Sequence, residues 1–364
     1  MKWIKLCVIG MSDVHRIELP KKIIIGSNIL SSIGQELKSL NITSSTLVVS
    51  GLSTTKLYAK EVVKALEDVS INCWSTYVSK ADKTEVENVL NIVKEVKANV
   101  IIGVGGGKAI DVAKYSAYLA NSYFVSVPTA PSHDGIASPF ASIRDMGKPV
   151  SMRAATPILV YADVEVIAKA PRRHIIAGCA DLLGKLSSVL DWRLAHRLRG
   201  EYYGDYAASL ALLSAKHILK NHRLFAEKNI PVKAVRILVE ALISSGIAMA
   251  IAGSTRPASG SEHLIAHAID VVANYPALHG EEVGIGTIVA LYLHGRNWKK
   301  VKGVQKAIGA PTTAKELGIT VDQLIEALTI AHTIRPERYT ILGEKGISRE
   351  AAEEIIKTTK LDEG

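Results

Sequence analysis

Asn99–Lys114 reads NVIIGVGGGKAIDVAK. In Asn99–Val104, all that follows Asn99 is apolar, the pattern of a strand buried on both faces. Three glycines, Gly105, Gly106 and Gly107, end it, and Ala109–Leu119 then takes helical spacing. A glycine turn between a strand's carboxyl end and a helix N-terminus lets the backbone approach a phosphate and offers it free N–H groups. The turn is not the GxGxxG fingerprint, because Lys108 stands in place of the third glycine. It is not a Walker A loop either, with Ile102 and Ala109 at positions that motif reserves for Gly and Ser/Thr. It reads as a diphosphate-binding turn; the plainer reading is a tight strand–helix connection.

The flanking segments repeat the alternation. Lys22–Gly26, Thr46–Ser50, Asn72–Val78 and Phe124–Val127 are strand candidates, and Leu57–Leu66 and Glu85–Val96 have helical periodicity. Alternating strands and helices build a parallel sheet from βαβ units. Beyond about Val166 long helical periods take over: Ala177–Arg197, Asp205–Leu219, Val232–Ile251, His263–Ala273, Glu281–Leu293, Val321–Thr333 and Arg349–Lys357. The expected architecture is α/β: a Rossmann-like dinucleotide-binding domain over residues 1–168, then an all-helical domain over 169–364. Lys360–Gly364 is expected to be a frayed tail. A length of 364 residues suits two domains at roughly 100–200 residues each, and 48% hydrophobic residues excludes wholesale disorder.

The net charge of +9 fits an anionic partner, but with 5% aromatic residues and no recognised motif a nucleic-acid platform is not expected. Cys7, Cys73 and Cys179 are odd in number and form no CxxC pair, so neither a disulfide framework nor a zinc ribbon is expected. The opening residues lack a signal-peptide core, and Ile237–Ala252 carries Glu240 and is short for a bilayer span. The chain reads as cytoplasmic, with no transmembrane segment.

Two further groups of residues carry chemistry. Val127–Gly135 (VPTAPSHDG), with Ser138 beyond, is a turn-rich loop after a strand, dense in small polar side chains. In an open α/β sheet it faces the same crevice as the glycines. In the helical half, Asp181, His263, His267 and His279 are metal-type residues, with His263 and His267 four apart on one helix face. One carboxylate and two imidazoles with a position left open make a catalytic zinc site. The remaining histidines, His174 and His294 among them, read as surface or packing residues.

Taken together, GGGK after a strand, the TAPSHDGIAS loop (Thr129–Ser138), ADLLGKLS (Ala180–Ser187), RPASGSEH (Arg256–His263) and LHGEEVG (Leu278–Gly284) resemble the glycerol-dehydrogenase and dehydroquinate-synthase-like superfamily. Within it they look like the sn-glycerol-1-phosphate dehydrogenases, over nearly the whole chain. The resemblance implies reduction of dihydroxyacetone phosphate to sn-glycerol 1-phosphate, the backbone of archaeal membrane lipids, by NADH or NADPH. It implies a homo-oligomer, a dimer or larger. It assigns the cofactor to Gly105, Gly106, Gly107, Lys108, Ala109, Ile110 and Asp111, to Thr129, Ala130, Pro131 and Ser132, and to Ser138. It assigns one Zn²⁺ per subunit to Asp181, His263 and His279. Substrate contacts go to Asp134, Asp181 and His267, with Asp134 and His267 catalytic.

The iron-dependent alcohol dehydrogenases of the superfamily carry a further ligating His four residues after the Asp. Lys185 stands there, which leaves three protein ligands and suits zinc. Glycerol dehydrogenase shares the Asp…Lys spacing and is the nearer rival, and a cyclising lyase like dehydroquinate synthase is the other.

The second strand ends in VSGLSTTK (Val49–Lys56), with no carboxylate to repel a 2′-phosphate and with Lys56 near, so use of both NADH and NADPH is expected. A substrate phosphate needs a cation or a helix N-terminus. Lys185, Arg256, Arg335 and Arg338 are the candidates, and sequence does not rank them.

Overall fold

A computed structural model describes residues 15–145 and 148–363. Cys7 and most of the opening stretch (residues 1–14) lie outside them, as does Gly364. Strands β1 (Lys22–Gly26), β2 (Thr46–Gly51), β3 (Cys73–Val78), β4 (Val100–Gly105) and β5 (Tyr123–Pro128) join a sheet in which every pairing is parallel. Helices α1 (Ile33–Ser39), α2 (Thr55–Glu67), α3 (Lys83–Val96) and α4 (Gly107–Leu119) connect them. A hairpin, β6 (Phe140–Asp145) with β7 (Lys148–Arg153), follows, and β8 (Pro157–Asp163) completes the sheet in the order β1-β8-β5-β4-β2-β3.

The burial pattern explains the order. Every residue of β4 is buried, as its unbroken apolar run requires at the sheet centre, whereas β3 at the edge leaves Trp74 exposed. Chain direction across the sheet reverses between β2 and β4. The carboxyl ends of those strands, Gly51 and Gly105, therefore open a crevice at the switch point where ligands bind in such sheets.

Helix α5 (Val164–Ala168) closes the α/β half. Its cap, Asp163, accepts from the N–H groups of Glu165 and Val166 and also from Asn28, Ile29 and Leu30, which ties β8 to the turn after β1. Beyond Pro171 the described chain is helical: α6 (Arg172–Leu183), α7 (Lys185–Arg199), α8 (Asp205–Ala226), α9 (Val232–Ala252), α10 (Ser261–Ala273), α11 (His279–Leu293), α12 (Trp298–Ile308), α13 (Ala314–Leu317), α14 (Val321–Ile330) and α15 (Arg349–Thr359). Val160 and Ala162 of β8 share one hydrophobic cluster with Ile175, Leu238 and Leu242 of the helices, so the halves meet through a dry core. Helix α9 is long and apolar enough to span a membrane, but 67% of its most apolar window is buried against the rest of the chain.

Several expectations need correction. The helix read as Ala177–Arg197 is two helices. It breaks at Gly184, where a Cβ would come within 2.9 Å of Val283 on the crossing helix α11. The tail is not frayed through its described length: Leu361 is fully buried, and its carbonyl accepts from the Ala314 N–H at 2.8 Å. The hairpin and α12 are additions that the sequence reading did not contain.

Candidate active site

A cavity of about 860 Å³ runs between the two halves, from the tips of β2 and β4 to the helices α6, α10 and α11. At its sheet end, the Thr129 N–H donates to the Gly105 carbonyl at 2.9 Å, which sets the turn after β5 beside the glycine turn. Of the expected cofactor residues, Gly106, Gly107, Lys108, Ala109 and Asp111 line this cavity, as do Thr129, Ala130, Ser132 and Ser138. Gly105, Ile110 and Pro131 sit behind them. Asp111 accepts from the Ser142 N–H at 3.3 Å and lies 3.5 Å from the fully buried Lys114 ammonium. Lys114 in turn donates to the carbonyls of Gly135 and Phe140 and so holds the loop that carries Asp134 and Ser138. Nothing in the sequence marks this lysine, because a lysine on a helix is almost never fully buried.

At the helical end, Asp181, His263 and His279 offer ligand atoms that all lie within 4.8 Å of one another. They reach that point from three helices packed very closely. A Cβ on Gly280 would lie 2.0 Å from the Ala177 carbonyl oxygen, so only glycine lets α11 approach α6 this far and bring His279 opposite Asp181. The first turn of α11 is fixed by Glu281, which accepts from the Leu278 N–H at 2.9 Å and from Arg173 through two bonds of 2.6 Å.

Asp181 Oδ1 is buried without a hydrogen-bond donor and lies 3.5 Å from His263 Nε2. Burial opposes ionisation of Asp181, but Lys185 and the two histidines hold its pKa well below the usual carboxylate range. His263 Nδ1 faces Glu262 Oε1 at 2.9 Å. Glu262, fully buried, also accepts from Gly260 N–H at 2.6 Å and Ser187 Oγ at 2.8 Å. It therefore orients the imidazole and turns Nε2 toward Asp181, the carboxylate–histidine arrangement common behind metal ligands. Burial lowers the pKa of His279, and the neighbouring His263 and His267 lower it further, so its ring is neutral at pH 7. A buried carboxylate oxygen lacking any donor, facing two imidazoles, fits a divalent cation of borderline softness such as zinc.

Lys185 occupies the place where a fourth ligand would stand. Its ammonium is fully buried, 3.0 Å from Asp134 Oδ2, 3.1 Å from Asp181 Oδ2 and 3.2 Å from the Ala258 carbonyl. Burial would lower its pKa, but the two carboxylates raise it above the ordinary lysine value. Asp134 is further fixed by Ser245 Oγ at 2.7 Å. His267 is stacked on His279 with ring centroids 5.3 Å apart, and its Nδ1 lies 3.4 Å from Asp270 Oδ2. Burial and then Arg335 push the His267 pKa well below its usual value. Burial also pushes Asp270 up to about 7, against the pull of Arg144, and raises its neighbour Glu282 well above the usual range.

The sequence reading missed Glu262 and Asp191. Glu262 had one available signal, its adjacency to His263. Asp191 had none. Fully buried, Asp191 accepts from Ser261 N–H at 2.7 Å, Ser261 Oγ at 2.6 Å, Ile341 N–H at 2.7 Å and His294 Nε2 at 2.9 Å. It anchors the start of α10, and so His263 and His267, to the end of α11 and to the loop after α14.

A parallel-sheet half with a glycine turn thus faces a buried Asp–His–His cluster on a helical half, the frame of a dinucleotide-dependent, metal-assisted oxidoreductase. Residues 24–171 match the family model described as iron-containing alcohol dehydrogenase. Among solved structures, a probable glycerol dehydrogenase from Sinorhizobium meliloti aligns with a TM-score of 0.78 at 22% identity, covering 96% of this chain and 98% of its own. Glycerol dehydrogenase from Schizosaccharomyces pombe gives 0.78 at 23%, covering 96% and 91%.

The chain belongs to the glycerol-1-phosphate dehydrogenase family. It is 54% identical over 345 residues to glycerol-1-phosphate dehydrogenase (NAD(P)+) of Sulfurisphaera tokodaii, covering 95% of this chain and 97% of the relative. The enzyme of the same name from Aeropyrum pernix is 51% identical over 349 residues, covering 96% and 99%.

Proposed function

We propose that this protein reduces dihydroxyacetone phosphate to sn-glycerol 1-phosphate with NADH or NADPH, and so supplies the glycerophosphate backbone of archaeal membrane lipids. In this reading residues 1–168 bind the dinucleotide, and 169–364 hold one Zn²⁺ per subunit and the substrate. The observation that carries it is the buried Asp181 Oδ1, without a donor and flanked by His263 and His279, in a chain whose relatives carry that enzyme's name along their full length.

When bound, zinc supplies Lewis acidity toward the C2 carbonyl, and the nicotinamide supplies hydride. The chain's own groups do the rest. Asp181, His263 and His279 hold the metal, with Glu262 fixing the His263 tautomer. Lys185 keeps Asp181 ionised, pairs with Asp134 and fills the position of a fourth ligand. The ammonium holds Asp134 Oδ2, and the Asp134 carboxylate, which lines the cavity, accepts from a substrate hydroxyl. The neutral His267 ring, its Nδ1 3.4 Å from Asp270 Oδ2, gives its Nε2 proton to the C2 oxygen, and the buried Asp270–Glu282 pair, which burial keeps partly protonated, returns a proton to Nδ1.

The test is absorbance of the reduced nicotinamide with zinc-loaded protein, NADH or NADPH, and dihydroxyacetone phosphate, beside an EDTA-stripped control. Zinc-dependent loss of signal is expected. Turnover of glycerol with NAD⁺, but none of the phosphate ester, would assign the protein to glycerol dehydrogenase instead.

A further inference from the structure

We propose that Arg335 anchors the substrate's phosphate and makes this cleft select a phosphorylated triose over the free polyol; the inference rests on the reading above. A phosphate dianion leaving water needs a cation whose N–H donors are free. The four basic candidates in the helical half differ in what each already holds.

Lys185 has an acceptor for each of its three ammonium hydrogens: Asp134, Asp181 and the Ala258 carbonyl. Arg256 forks onto Glu201 through Nε and Nη2, and its Nη1 donates to the Tyr339 carbonyl at 2.9 Å. Arg338 donates to the Ser259 carbonyl at 2.5 Å and to Thr255 Oγ1 at 2.7 Å. Arg335 is the one of the four that lines the cavity, and among the described residues no hydrogen bond or ion pair engages its guanidinium.

Three other cations border the cavity. Lys108 belongs to the glycine turn at the dinucleotide end, and Lys169 follows α5 in the link between the halves. Arg144 Cζ stands over the Tyr275 ring, 3.6 Å from its centroid, and its charge already acts on Asp270. Arg335 has no such acid, only the exposed Glu337 two residues on. It lines the same cavity as His267, the imidazole read above as facing the substrate carbonyl. In dihydroxyacetone phosphate one carbon and one oxygen separate that carbonyl from phosphorus, so the anchor must stand close to His267.

The loop that presents Arg335 is held before any ligand arrives. The Arg338 N–H closes a turn on the Arg335 carbonyl at 2.9 Å, Arg256 clamps Tyr339, and Asp191 holds Ile341. Because Asp191 also binds Ser261 at the start of α10, one buried carboxylate fixes the phosphate anchor and the helix of His263 and His267 in register. A planar guanidinium held in this way matches two phosphate oxygens at once.

The experiment compares wild type, Arg335→Gln, Arg335→Lys and Arg144→Gln on dihydroxyacetone phosphate and on unphosphorylated dihydroxyacetone, with inorganic phosphate titrated calorimetrically into each zinc-loaded protein. Arg335→Gln is expected to lower the ratio of the two kcat/KM values by about a hundred-fold or more and to abolish phosphate binding; Arg335→Lys recovers part of both. Arg144→Gln keeps the wild-type ratio. A wild-type ratio in Arg335→Gln, or its collapse in Arg144→Gln, overturns the inference while leaving the dehydrogenase reading intact. Wild type that ignores dihydroxyacetone phosphate sinks the functional reading instead. The phosphate titration then decides on Arg335 alone, with equal binding in wild type and Arg335→Gln counting against it.

Discussion

Replacing Lys185 by Met probes the charge arrangement on which the metal cluster depends. The ammonium is fully buried and lies 3.1 Å from Asp181 Oδ2 and 3.0 Å from Asp134 Oδ2. At an effective dielectric of about 20, unit charges at that spacing attract by ~5 kcal/mol. Desolvation offsets much of this while the pair is intact, but removing one partner strands the other, at a cost of about 3–5 kcal/mol. Met keeps much of the volume and none of the charge. Metal-free Lys185→Met should therefore melt about 5 °C below metal-free wild type. A divalent cation on Asp181 compensates the same negative charge, so zinc should stabilise the variant more than it stabilises wild type. The excess should be about 1–3 kcal/mol in a cycle of four melts, EDTA-treated and zinc-loaded for each protein. Equal zinc increments would show that ammonium and metal do not share that carboxylate. An unshifted metal-free variant would show that the ammonium compensates nothing, and either result would refute the reasoning.

Three further outcomes follow from the same geometry. His279→Ala should hold well below one zinc per chain by elemental analysis after dialysis, and its reduction of dihydroxyacetone phosphate should fall at least a hundred-fold, since two ligands remain of three. Asp270 has a folded-state pKa raised to about 7 from 3.8, so the penalty for ionising it is absent below about pH 4, grows as pH rises, and is complete above 7. Asp270→Asn should accordingly gain up to about 4 kcal/mol over wild type at pH 8.5 and little at pH 4 in denaturant titrations, and a gain independent of pH would count against a buried, protonated acid. Lys56, whose ammonium stands 4.6 Å over the Tyr77 ring just beyond the tip of β2, is the cation that the sequence reading set near a 2′-phosphate. Lys56→Glu should raise KM for NADPH about ten-fold or more while leaving KM for NADH nearly unchanged.

The sequence made the sheet legible where burial on both faces forces an unbroken apolar run, as in β4 and β2. It concealed the hairpin because FASIRD and KPVSMR have no such run and acquire a partner only through each other. It concealed the end of the chain because Leu361 is buried by α13, a contact between segments that periodicity cannot connect. The cluster of Asp181, His263 and His279 was legible through residue type and the neighbouring glycines. Its supports were not: Lys114, Asp191 and Glu262 are charged residues on helices, a type that is almost never fully buried unless paired. Each is buried because a distant segment supplies donors or acceptors, as Ser261 and Ile341 do for Asp191.

That distinction also shows why the surplus of nine positive charges says little about the ligand. A cation surrounded by acceptors has no donor left to offer, however close it lies to the chemistry. Lys185 stands beside the metal cluster with all three of its hydrogens engaged, and Arg256 and Arg338 are turned into the loops they brace. Their positive charges hold the site's shape, and that of Lys185 keeps Asp181 ionised. The fold is shared with glycerol dehydrogenases that align along the whole chain, so overall architecture does not choose between a polyol and its phosphate ester. What separates those substrates is one dianionic group, and the group that answers it must be a cation held in place by others yet unpaired itself. Among the described residues in the helical half of this cleft, Arg335 is the side chain that meets both conditions.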